Sequence, residues 1–106
     1  MQTAYGMITT TVPTVADAKT ITDALLEQRL AACVQSYRVS SSYIWEGNIA
    51  VSDELLLQIK TKRTRFESVK RLIESLHPYE VPEIILTSIV DANPAYFKWI
   101  DASVKD

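Results

Sequence analysis

The segment Cys33-Val34-Gln35-Ser36-Tyr37-Arg38-Val39-Ser40-Ser41-Ser42-Tyr43-Ile44-Trp45-Glu46-Gly47-Asn48-Ile49-Ala50-Val51-Ser52-Asp53-Glu54-Leu55-Leu56-Leu57-Gln58-Ile59-Lys60-Thr61-Lys62 decides the fold. Apolar and polar residues alternate along it with the period of a β-strand, and Glu46-Gly47-Asn48 near its middle marks a reversal, so it reads as one long hairpin. Folding the chain back about Gly47 sets Trp45 opposite Ile49, Tyr43 opposite Val51, Val39 opposite Leu55, Tyr37 opposite Leu57 and Gln35 opposite Ile59, all on one buried face. The other face then carries Ser36, Arg38, Ser40, Ser42, Ser52, Glu54, Gln58 and Lys60, with only Val34, Ile44 and Leu56 breaking its polarity. Each arm runs to about twice the ~5–6 residues of an ordinary strand. A small domain covers the base of such a hairpin and leaves its tip, so Tyr43, Trp45, Ile49 and Val51 are expected to project and to be covered by a partner. The polar run from Ser40 to Ser42, opposite Ser52 to Glu54, marks the expected boundary as a bend or bulge.

Before the hairpin, Tyr5 to Thr11 is rich in Ile and Thr and is stopped by Pro13, which predicts a first strand. Thr14-Val15-Ala16-Asp17 has the pattern of a helix start, and Ala18, Ile21 and Leu25 continue it along one face to a helix end near Arg29. After the hairpin, Thr64-Arg65-Phe66-Glu67 repeats the helix-start pattern, with Phe66, Val69, Ile73 and Leu76 on one face. Pro78 ends that helix. Glu83 to Val90 is a strand whose almost unbroken apolar core from Ile84 to Val90 predicts cover on both faces. Asn93-Pro94 then opens a short last helix with Tyr96, Trp99 and Ile100 along its apolar edge. Strand, helix, strand, strand, helix, strand is the split βαβ order. It predicts an α+β sandwich in one domain, residues 1–106, with a four-stranded antiparallel sheet, two helices on one face and an extra C-terminal helix.

With 106 residues, 47% hydrophobic and 23% charged, the chain has the balance of one globular domain that needs no staples. Its single cysteine, Cys33, cannot close an internal disulfide, and no CxxC or paired Cys/His spacing of a zinc site occurs. Cytoplasm is the expected compartment, because Met1-Gln2-Thr3-Ala4-Tyr5 lacks a signal-peptide pattern and no apolar run reaches the ~18 residues of a membrane span. A net charge of −2 argues against nucleic acid. The one basic run, Lys60-Thr61-Lys62-Arg63-Thr64-Arg65, reads as a solvated strand end and helix start.

Chemistry concentrates in His77-Pro78-Tyr79-Glu80-Val81-Pro82-Glu83-Ile84. Pro78 and Pro82 stiffen this connection, so His77, Tyr79 and Glu80 are presented on a rigid turn. His77 and Glu80 offer an imidazole nitrogen and a carboxylate to Cu²⁺, Zn²⁺ or Ni²⁺, whereas a connector whose His only bonds a helix-end carbonyl has the same sequence. Cys33 is a third candidate ligand, against its reading as a small buried hydrophobe. No Ser-His-Asp set, phosphate-binding glycine loop or aromatic RNA-binding face is present, so the expectation is a protein that is not an enzyme.

Read together, Arg29-Leu30-Ala31-Ala32-Cys33-Val34, Ser42-Tyr43-Ile44-Trp45-Glu46-Gly47, Ile59-Lys60-Thr61, His77 to Ile84, and Asn93-Pro94 with Tyr96 and Trp99 resemble the CutA divalent-cation tolerance family. Five blocks in order, over nearly the whole chain, carry the resemblance. It implies a ferredoxin-like fold and a compact homotrimer whose long hairpins join sheet edges between subunits, with Tyr43, Trp45, Ile49 and Val51 at the interface. It also implies tolerance of copper and other divalent metals, with Cu²⁺ or Zn²⁺ as candidate ligands of His77, Glu80 and Cys33. Copper-binding relatives carry a Cys three residues before the first-loop proline and a second His before the His-Pro pair, where this chain has Thr10 and Leu76. By analogy with oligomeric sensors of the same fold, Lys60, Tyr79 and Glu83 are the alternative, an intersubunit cleft for a small anion or metabolite. Tyr43, Trp45 and Trp99 read as interface or core aromatics.

Overall fold

Ile8, Thr9, Thr10, Thr11 and Val12 are β-branched and hold the chain extended until Pro13, which cannot donate to a ladder. The computed structural model, which describes residues 3–105, accordingly starts with strand β1 (Tyr5–Val12). Helix α1 (Val15–Glu27) follows, and the Thr14 hydroxyl oxygen accepts the Asp17 backbone N–H at 3.1 Å while donating to the Asp17 carboxylate at 2.7 Å. Strands β2 (Cys33–Trp45) and β3 (Asn48–Lys62) form the long hairpin, and a 3₁₀ turn (Arg63–Arg65) leads into helix α2 (Phe66–Leu76). Strand β4 (Ile85–Ser88) and helix α3 (Pro94–Ser103) complete the chain. The sheet order is β2-β3-β1-β4 with every pair antiparallel, the expected split βαβ, ferredoxin-like arrangement.

The core lies between one face of the sheet and helices α1 and α2. Ile8 and Val12 from β1 meet Leu55, Leu57 and Ile59 from β3, under Ile21 and Leu25 of α1 and Val69 and Ile73 of α2. Helix α3 serves the opposite face at one end. There the Tyr5 ring stacks on Phe97 with centroids 4.0 Å apart, and its hydroxyl donates to Asp101 at 2.8 Å.

Helix α1 ends in a Schellman arrangement. The N–H groups of Arg29 and Leu30 donate to the carbonyls of Leu26 and Leu25, and Arg29 takes the left-handed φ of 56° that glycine usually supplies.

Several expectations need correction. The hairpin pairs one residue away from the predicted register, with Trp45 opposite Asn48, Tyr43 opposite Ala50, Val39 opposite Glu54 and Tyr37 opposite Leu56. The cause is a two-residue turn in which both Glu46 (φ 51°) and Gly47 (φ 79°) have positive φ, the geometry that matches strand twist. The faces of β3 are as expected, whereas those of β2 are inverted. Tyr37, Val39, Tyr43 and Trp45 share the open face with Leu56 and Glu54, and Val34 packs toward the helices. The ladder passes Ser40 to Ser42 without an inserted residue, so there is no bulge.

Thr64 does not cap α2. The 3₁₀ turn begins directly after Lys62, and Arg65 occupies the cap position with no side-chain bond. Asn93 sits at the cap of α3, but its backbone carbonyl accepts the bonds from Tyr96 and Phe97 and its side chain takes none. Strand β4 is shorter than Glu83 to Val90 and lies at the sheet edge, and Ile85 on it and Val90 beyond it are exposed rather than covered.

Thr10 is an orphan in the core. It is 0% exposed and its hydroxyl has no hydrogen-bond partner among the described residues. Such a group carries a desolvation cost with no return, so Thr10→Val, nearly the same shape, is expected to raise unfolding free energy by about 1 kcal/mol. A denaturant titration showing a loss instead would mean that the hydroxyl is bonded.

Candidate functional site

Strand β1 stops at Val12, opposite Leu55, while the β2–β3 hairpin continues past it. Pro78 ends α2 at the same level, and residues 77–83 pass beside the end of β1 before β4 begins. Between this turn and the projecting hairpin lies a groove of about 570 Å³, lined by Thr11, Ser41, Ser42, Tyr43, Ile44, Trp45, Glu54, Tyr79, Val81 and Glu83.

A chain of three hydrogen bonds holds the turn against the sheet. His77 Nδ1 accepts the Tyr79 backbone N–H at 3.1 Å, which leaves Nε2 protonated to donate to the Thr11 carbonyl at 2.7 Å. The Tyr79 hydroxyl donates to Glu54 Oε2 at 2.6 Å. Burial first, and then this bond to a carboxylate, raises the Tyr79 phenol above its ordinary value near 10, so it stays a donor throughout the neutral range. Glu54 itself is 7% exposed, and among the described residues it has no ion-pair partner.

The candidate residues fall into separate places. Tyr79 and Glu83 line the groove, whereas Lys60 lies four ladder steps away, donating to Gln35 Oε1 at 2.7 Å with its ammonium 5.7 Å from the Tyr96 ring centre. His77 and Glu80 share the turn, with Glu80 exposed. Cys33 is directly opposite Lys60, away from both, and is half-buried on the open face rather than in the helix-covered core. Among the described residues no three His, Cys, Asp or Glu side chains gather as a metal-binding group. Both His77 nitrogens are engaged, so ligating a metal requires it to give up one bond.

Trp45, Ile44, Ile49 and Val51 stand exposed at the hairpin tip, with Ile44 at 70% and Ile49 at 79%. The Tyr43 hydroxyl bonds Ser52 Oγ at 2.6 Å. Glu54 was not singled out as a site residue from the sequence. Its only signal is an acid placed directly before Leu55-Leu56-Leu57, where the strand enters the covered part of the sheet.

The family profile described as CutA1 divalent ion tolerance protein matches residues 6–103. The divalent-cation tolerance protein CutA of Thermus thermophilus is 43% identical over 85% of this chain and 88% of its own length. The crystal structure of CutA1 from the psychrotrophic bacterium Shewanella sp. SIB1 superposes with a TM-score of 0.95 at 38% identity, covering 100% of both chains. A periplasmic divalent cation tolerance protein CutA from Archaeoglobus fulgidus superposes at 0.93 with 32% identity, over 95% of this chain and 99% of its own.

Proposed function

The chain belongs to the CutA1 divalent ion tolerance family, and from that premise we propose that it acts without catalysis, as a homotrimer that holds divalent metal at its subunit junctions. The exposed tip of the hairpin supports assembly, since an isolated chain leaves Ile44, Trp45, Ile49 and Val51 in water. The observation that carries the metal reading is the stiff turn bearing His77 and Glu80 beside that tip. Two donors from one chain make a weak site for Cu²⁺ or Zn²⁺, so a neighbouring subunit supplies the remainder. When bound, the metal would link two chains, and His77 would exchange its bond to Tyr79 N–H or to the Thr11 carbonyl for the ion.

Calorimetric titration of the mass-verified assembly with Cu²⁺ and Zn²⁺, beside His77→Ala, tests this. We expect saturable binding at a whole number per trimer, weakened in the variant by at least the roughly 10–100-fold that loss of a supporting group costs. Equal binding by both proteins would remove His77 as a ligand.

A second reading, small-molecule sensing, has the groove as its site. An anion is the wrong ligand for it, because its lining holds two carboxylates and no Lys, Arg or His.

A further inference from the structure

We propose that His77 offers the metal its Nδ1 atom, and that the bond from Tyr79 to Glu54 is a brake on that nitrogen, so that the closed turn and the metal compete for it. This rests on the metal reading and deepens it, by naming the ligating atom and the two residues that set its availability.

The two partners of the imidazole select the same tautomer independently. The Thr11 carbonyl can only accept, so Nε2 carries the proton that meets it at 2.7 Å. The Tyr79 backbone N–H can only donate, so Nδ1 keeps the lone pair that receives it at 3.1 Å. Strand β4 pairs with β1 only from Gly6 to Thr9, and two residues further on His77 supplies the donor for Thr11. A ring N–H given to a backbone carbonyl is the usual support of a histidine ligand, since it fixes the ring and raises the basicity of the other nitrogen. That other nitrogen here is Nδ1. Ligation through Nε2 would send the ring proton to Nδ1, where it would face the Tyr79 N–H, and would leave the Thr11 carbonyl without its donor. Two hydrogen bonds would then be lost, against one for ligation through Nδ1.

The one bond in the way is that of the Tyr79 N–H. Tyr79 is held from both ends, by its N–H on His77 and by its hydroxyl on Glu54 Oε2 at 2.6 Å, and its ring lies beside the imidazole with centroids 4.9 Å apart. Glu54 sits in the β2–β3 ladder opposite Val39, so the anchor belongs to the sheet and not to the turn. Turning the N–H aside shifts the backbone at residue 79 against that anchor. Tyr79 and Glu54 are thus positioning residues: they act through His77, and their contacts lower its affinity for a cation. All three bonds lie within one chain, so the competition does not depend on how the subunits meet.

His77 is the single histidine of the chain, so an assembly labelled with ¹⁵N-histidine reports on it alone. In buffer where imidazole is neutral, the metal-free spectrum is expected to show a protonated Nε2 and a bare Nδ1, and Zn²⁺ should move Nδ1 while the proton stays on Nε2. Tyr79→Phe keeps the ring and removes the anchor. By calorimetry it should bind Zn²⁺ about two- to tenfold more tightly than the wild type, at the same number per trimer, the weight of one competing hydrogen bond. A merely structural role for Tyr79 predicts weaker binding instead. Should Tyr79→Phe fail to fold, the wild-type protein still decides, because Zn²⁺ should then also speed hydrogen exchange of the Tyr79 amide.

Saturable Zn²⁺ binding that is lost in His77→Ala but shifts Nε2 would overturn this inference and leave the metal reading standing. So would a folded Tyr79→Phe that binds no more tightly, or a Tyr79 amide whose exchange Zn²⁺ leaves unchanged. Absence of saturable binding by the wild type would overturn both.

Discussion

With Ile44→Asp and Ile49→Asp introduced together, the protein is expected to scatter light at the mass of one 11.9 kDa chain at micromolar concentration, instead of the three times that mass expected of the proposed trimer. The two residues are direct cross-strand partners near the turn, on the same face, at 70% and 79% exposure. Covering a side chain of this size contributes roughly 1.5–3 kcal/mol, and a trimer repeats the gain three times. A carboxylate in its place must either be dehydrated or keep the neighbour away, and like charges brought together at an interface cost several kcal/mol more. The fold of the single chain should survive. Its core is built from Ile8, Val12, Leu55, Leu57 and Ile59 under α1 and α2, and the tip contributes nothing to it. Circular dichroism of wild-type shape from a monomeric species is thus the full expected result. A variant that still scatters as a trimer would show that assembly uses another surface.

Tyr79→Phe is expected to lower unfolding free energy by about 2 kcal/mol at neutral pH. The ring remains, so packing is kept, but Glu54 loses the one donor that reaches it among the described residues, in a position 7% exposed. The pH dependence separates this cause from general damage. Tyr79 ionises less readily in the folded protein than its ordinary value near 10. Its contribution is therefore complete below pH 10 and declines above it, as the unfolded chain sheds the proton and the folded one retains it. The phenylalanine variant has no such group. The gap between the two proteins should accordingly narrow in alkaline urea titrations. A gap that is constant from pH 7 to 11 would place the loss elsewhere.

Much of the architecture was legible because single residues with unambiguous backbone demands mark its boundaries. Thr14 starts α1, Pro78 ends α2 and Asn93-Pro94 starts α3, each where the local chemistry places it. The phase of β2 was not legible. It depends on whether the turn holds two residues or three, and Glu46 at positive φ is a conformation its side chain does not advertise. The exposure of Ile85 and Val90 was missed because an apolar run records that a face is covered and not which chain covers it. For the site, the stiff turn could be read from its two prolines. Its coupling to Glu54 could not, since Tyr79 and Glu54 are 25 residues apart and meet only once β1 has ended and left the groove open.

The sheet order has a bearing on how the chain comes off the ribosome. Helix α1 and the hairpin are formed from neighbouring stretches and can assemble as they emerge, as can β1 against β3. The flank of β1 that belongs to β4 stays bare until Ile85 to Ser88 have been made. That contact joins Gly6 to Ser88, and it is reinforced when the Thr3 hydroxyl donates to the Ile89 carbonyl at 2.6 Å. Until then the nascent chain carries an open edge on β1 and an apolar tip on the hairpin, and β4 is the strand that seals β1.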